Sequence, residues 1–184
     1  MKNKGLPTAE ELERLPLRAI VAYAARTANR ISSELRGVIA DDILDDALRL
    51  VVAVSTASDI GKVDAASLIR ASERFTSAYA NAPLRLRSKK KLFIVTSLIH
   101  AALAGMDALI AAEDFRREPE NVRYQMRCAA QSAERATRPI KALTPKAAQT
   151  ATEAARKDYD ILLREYGEHE EVVIGEPVHC FGNY

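Results

Sequence analysis

Four carboxylates fall within six residues at Asp41-Asp42-Ile43-Leu44-Asp45-Asp46. Asp41 and Asp45 stand four residues apart, so on a helix their side chains share a face. Hard oxygen ligands grouped this way suit magnesium, which bridges carboxylates to a phosphate. Further on, Arg85-Leu86-Arg87-Ser88-Lys89-Lys90-Lys91 sets five cations together with no acid among them. Where such a run enters a helix, lysines and free backbone amides converge on a point suited to a phosphate or carboxylate. A nucleic-acid backbone, a nucleotide or an acidic peptide has the matching charge. The same cations oppose the helix dipole. As a solvated turn they would instead keep the end of an apolar helix in water.

The Asp41-Asp42-x-x-Asp45 string resembles the magnesium-binding motif of the all-helical prenyl and terpene synthases. That resemblance implies a metal holding a substrate diphosphate, and it covers six residues. No second aspartate-rich motif follows, and the chain is shorter than that family's cavity requires. The acids also stand where a helix start wants them, with Asp41 as N-cap and the others at the positive end of the dipole. Capping and solvation are the expected role, and no metal or cofactor is assigned.

Catalysis finds no support at residue level. His100 falls in the most apolar stretch, while His169 and His179 lie near the C-terminal end. His179-Cys180 is too closely spaced to chelate a metal, and a Cys–His nucleophile needs a preformed pocket. No G-x-S-x-G, P-loop or G-x-G-x-x-G string occurs. Cys128 and Cys180 make neither a CxxC pair nor a disulfide framework. The expectation is a protein that is not an enzyme.

Arg123, Arg127 and Arg138 fall within about 60° of one another at 100° per residue, with Arg116 and Arg117 just before them. With the basic run they define a candidate anion surface of Arg85, Arg87, Lys89, Lys90, Lys91, Arg123 and Arg127. Glu120 and Glu134 share the arginine sector and dilute it. No aromatic residues interleave as stacking platforms, and no helix-turn-helix, zinc-finger or RRM signature accompanies the cations.

The chain changes character after Tyr166. Gly167, Gly175 and Gly182 disfavour helix, Glu168, Glu170 and Glu171 make the first part acidic, and Val172, Val173, Ile174, Val178, Phe181 and Tyr184 make the rest apolar. Exposed valines and aromatics gain from finding a surface. Either this segment packs along its own bundle or those six residues form a docking peptide for a protein partner. Its acids have a third option, the basic run of the same molecule. Gly175-Glu176-Pro177-Val178 after alanine-rich helices resembles the close of helical proteins from bacteria, and no residue role is carried over from so short a string.

Gly37, Gly61, Pro83, Pro119, Pro139 and Pro145 divide the body into six helix-length pieces. Leu17, Val21, Ala24, Ala28, Ile31 and Leu35 step by fours and threes, a bundle-like seam. Leu44, Ala47, Val51 and Val54 carry the second piece. Leu68, Ala71, Phe75, Ala78 and Tyr79 carry the third, with Asp64 as its cap. From Ser88 to Phe115 the apolar band covers most of the helix, which predicts the buried centre of the bundle. The Glu120–Arg138 and Lys146–Tyr166 pieces, with narrow alanine-rich stripes, are placed outside it. Thr8–Arg14 reads as a short N-terminal turn.

The 184 residues are 48% hydrophobic and 28% charged, ordinary values for a globular chain. The net charge of +2 hides a division. All 27 Lys and Arg, with 20 of the 25 acids, lie at or before Arg164, so the body carries +7 and the remainder −5. The N-terminus has no signal-peptide pattern. The longest uncharged run, Leu92–Met106, falls short of a spanning helix. These features predict an all-α bundle of six or seven helices over residues 1–166, with a non-helical extended tail over 167–184, in the cytoplasm and off the membrane. The expected function is a non-enzymatic interaction module, such as an adaptor, regulatory or accessory subunit of a bacterial system. It would engage a protein partner through the tail, or a second copy of itself. The alternative is a nucleic-acid or other polyanion-binding protein using Arg85–Lys91.

Overall fold

The computed structural model describes residues 5–57, 63–83, 87–114, 118–167 and 178, and the regular elements among them are all helical. In chain order they are α1 (Ala9–Leu12), α2 (Leu17–Ser32), α3 (Asp41–Thr56), α4 (Ala65–Asn81), α5 (Lys89–Asp114), α6 (Pro119–Thr137) and α7 (Pro145–Tyr166). Single 3-10 turns extend α2 through Leu35 and α6 through Ala142.

Local chemistry sets the helix ends. Thr8 and Glu11 form a capping box on α1, with Thr8 Oγ1 accepting from the Glu11 amide at 3.3 Å and Glu11 Oε2 from the Thr8 amide at 3.0 Å. Asp64 caps α4 by accepting from the Ala66 amide at 3.0 Å. Gly37 has φ +77°, the left-handed region in which a side chain is costly, and there the chain turns from α2 toward α3. The reading of Asp41 as an N-cap is corrected. Ala40 holds that position without a side-chain bond, and Asp41 and Asp42 are the first two helical residues.

The bundle is centred on α2, not on α5 as hydropathy suggested. Fourteen of the 16 residues of α2 are buried, and it packs against α3, α5, α6 and α7. The reason is size. Ala19, Ala22, Ala24, Ala25 and Ala28 are all buried, and small side chains let neighbouring helices close in on every side. The α6 helix packs on both α5 and α2, whereas α7 packs on α2.

Polar residues on α2 are buried with it and fix its neighbours. Arg26 and Arg30 reach the buried Asp158 of α7 at 3.7 and 2.5 Å. Arg18 donates to the Ala57 carbonyl at the end of α3. Below α7, Arg156 pairs with Glu11 at 2.8 Å and lies 4.9 Å from the Tyr159 ring centroid, while the Tyr159 hydroxyl donates to the Glu11 carbonyl. One contiguous core joins residues of all seven helices and Val178.

Candidate docking face

The geometry that matters most belongs to α5. Its inner side, including Ile94, Leu98, Ala101, Ala104, Ala108 and Ala111, is buried in the core. Gly105 permits the closest approach. A Cβ there would lie 3.3 Å from Leu68 and 3.4 Å from Val54, so α5 presses directly on α3 and α4.

The outer side of the same helix is also apolar and has no cover among the described residues. Leu92 is 50% exposed, Phe93 45%, Leu103 44% and Ile110 40%. With half-exposed Thr96, Ile99 and Met106, the residues Leu92, Leu103 and Ile110 fill a sector of about 80° at 100° per residue, and Phe93 stands about 60° beyond it, past Asp107 and His100. On one flank, α5 and α4 leave an apolar groove of about 520 Å³, lined by Ile69, Ser72, Thr76, Ile99, Leu103 and Met106. Ile69 is itself well exposed. Among the described residues α5 is also the one helix long and apolar enough to cross a membrane, and more than half of the qualifying stretch is buried against other helices.

The other flank, toward α6, is polar. Burial pushes the Asp107 carboxyl up to about 6, against a weaker opposing effect of Ser132, whose hydroxyl lies 3.4 Å away. Cys128, hydrogen-bonded to Tyr124, raises that phenol, and Asp107 adds to the effect. Nearer the start of α5, burial lowers His100, and the charges of Arg135 and Arg138 lower it further. These groups edge the apolar face. Among the described residues no group of three or more His, Cys, Asp or Glu is arranged to hold a metal ion.

The expected anion surface is not assembled in one place. Ser97 donates to the Ala136 carbonyl at 2.6 Å, so α5 and α6 run antiparallel. Arg123 and Arg127 therefore lie toward the opposite end of the bundle from Lys89, Lys90 and Lys91. Lys90 pairs with Glu34 at 2.8 Å, and Arg127 lies 3.9 Å from Glu13. Arg87 is half-buried and Lys89 exposed, while Arg85 lies outside the described residues. The aspartate cluster is engaged by arginines. Arg36 reaches Asp41 and Asp45 at 3.0 and 3.4 Å, and Asp46 pairs with Arg49 and, at 3.5 Å, with Arg74.

Of the six tail residues, Val178 is described, and it belongs to the chain's own core. It is 1% exposed, and its amide donates to the Ser55 carbonyl at 2.8 Å. Its assignment to a partner is therefore corrected: at this residue the tail docks in cis. With Arg18 on Ala57, it satisfies carbonyls that the end of α3 leaves unpaired. Val172, Val173, Ile174, Phe181 and Tyr184 lie outside the described residues, as do His169, His179 and Cys180.

The sequence pattern places Leu92, Phe93, Leu103 and Ile110 in the core, and the structure exposes them. One signal pointed the other way. An apolar band wider than one seam cannot all be covered when an alanine-rich helix such as α2 already takes the centre. No family model, curated protein or solved structure matches this chain.

Proposed function

We propose that the chain is a non-enzymatic interaction module that takes a protein partner on the outer face of α5 and in the α4–α5 groove. The carrying observation is the row of Leu92, Leu103 and Ile110, with Phe93 off to its side, each 40–50% exposed on one helix. Isolated exposed hydrophobes are ordinary, but a contiguous row rimmed by polar groups marks a binding surface. The row repeats at helical spacing beside a groove, the arrangement that receives an amphipathic helix. Polyanion binding is the weaker reading, because the cations are spread over both ends of the bundle and two of them face acids of the same chain.

Leu103→Asp tests the reading. The position is exposed, so helicity and melting temperature should stay close to wild type. Quantified co-purification from the native host should lose the partner by tenfold or more. Unchanged retention would remove this face from the account.

A further inference from the structure

The outer face of α5 is close to palindromic in both shape and charge. Take the midpoint between Ala101 and Ala102. Leu92 and Ile110 then stand 9.5 and 8.5 residues to either side, Ile99 and Leu103 2.5 and 1.5 residues near the centre, and Thr96 and Met106 5.5 and 4.5 residues between, so each pair is symmetric to within one residue. At the outer ends Lys89 mirrors Asp114. At 100° per residue, Lys89 and Asp114 lie within about 20° of each other, in the same sector as Leu103. The face thus runs from Lys89 through apolar residues to Asp107, half-buried at the same azimuth as Lys89, and then to Asp114.

Both end charges are misplaced for the helix that carries them. A lysine at the N-terminus and an aspartate at the C-terminus each oppose the helix macrodipole. Solvation alone accounts for a charged residue at an exposed helix end, but the dipole disfavours the sign found at each end. A second α5 running antiparallel reverses it. Each Lys89 then meets the negative C-terminal end and Asp114 of the other helix, and each Asp114 meets the other's positive N-terminal end. The apolar residues meet their mirror mates in between. A twofold interface requires a self-complementary patch, and this face is one.

We infer that the occupant of the α5 face is a second copy of this chain, paired antiparallel through α5 about the Ala101–Ala102 midpoint. The inference rests on the reading of that face as a docking surface and supplies its partner. Neighbouring helices favour it. Ile69 on α4 stands on the groove flank, exposed and apolar, where it extends the contact beyond α5. Lys90, which points away from the stripe, is tied to Glu34 within its own chain, leaving Lys89 as the cation of this face.

Sedimentation equilibrium of the full chain tests it by charge swap. Wild type is expected to associate to dimers at micromolar concentration. Lys89→Glu and Asp114→Lys should each weaken association about tenfold, since each sets like charges opposite one another in both symmetry-related contacts. The double variant should return to within about threefold of wild type, because opposite charges face each other again. Circular dichroism and melting temperature should be near wild type for all three. A wild type that stays monomeric at every loading, dimers indifferent to the single reversals, or a double variant no better than the singles would each overturn the pairing. Should the chain be monomeric while Leu103→Asp still abolishes retention of a different protein, the second copy is wrong and the docking face stands. If Leu103→Asp changes neither association nor retention, both fall.

Discussion

Asp107 shows how a single residue reports the boundary between the apolar face and the polar seam. Burial on α5 raises its carboxyl from 3.8 to about 6, with Ser132 and Tyr124 facing it from α6. Below pH 3.8 the group is protonated in both folded and unfolded chains and costs nothing. Between those values the folded chain holds a proton that the unfolded chain has lost, so its contribution to stability falls as pH rises. Above about 6 the whole cost of a half-buried carboxylate is present. Asp107→Asn keeps the shape without the charge. In urea unfolding at fixed protein concentration its advantage over wild type should be near zero at pH 3.5, grow through pH 4 to 6, and then level off. A difference that does not change with pH would contradict this placement. Asp158 is the opposite case. It is buried too, but Arg26 and Arg30 reach it at 3.7 and 2.5 Å, so its charge locks α7 to α2. Neither environment is written in the residue itself. Asp107 sits between Met106 and Ala108 and Asp158 between Lys157 and Tyr159, and in both cases the helix packed opposite decides which finds arginines and which finds a hydroxyl.

At the scale of elements, periodicity and punctuation account for most of what could be read in advance. The six pieces cut by glycine and proline correspond to α2 through α7, and the Thr8–Arg14 turn contains α1. Asp64 caps α4 because its side chain needs only its own local backbone to do so. Which helix lies inside was not legible, because hydropathy measures the tendency to leave water and not the space available. The alanines of α2 bury little area each, yet their small size lets four helices surround it. The broad leucine and isoleucine band of α5 exceeds what its neighbours can cover. The tail was legible as apolar but not as to its destination. Val178, the described residue beyond Gly167, reaches back to Ser55, a contact between positions 123 residues apart that no local pattern encodes. That contact predicts a cost at a position nominally outside the bundle. Val178→Ala removes two buried methyl groups, worth about 2 kcal/mol, and should lower the urea midpoint accordingly. An unchanged midpoint would show that the tail does not contribute to the core.

For the molecule as a whole, the small net charge of +2 is less informative than where charges sit. The body is basic, yet its cations are dispersed over both ends of the bundle, and several pair with acids of the same chain. Among the described residues the surface with a coherent pattern is the exposed side of α5, with an apolar stripe along its middle, Lys89 at one end, and Asp107 and Asp114 toward the other. That pattern makes the central claim a statement about distance. In an antiparallel pair centred at Ala101–Ala102, the two copies of residue 103 are offset by about 5 Å along the axes, and the two copies of residue 92 by about 28 Å, at 1.5 Å of rise per residue. The most direct measurement is oxidative cross-linking in a background carrying Cys128→Ser and Cys180→Ser. Leu103→Cys should give a disulfide-linked dimer on a non-reducing gel, and Leu92→Cys should not. Leu92→Cys mixed with Ile110→Cys should cross-link between the two variants. Equal cross-linking of Leu92→Cys with itself, or no cross-link at Leu103→Cys at any concentration, would contradict the account.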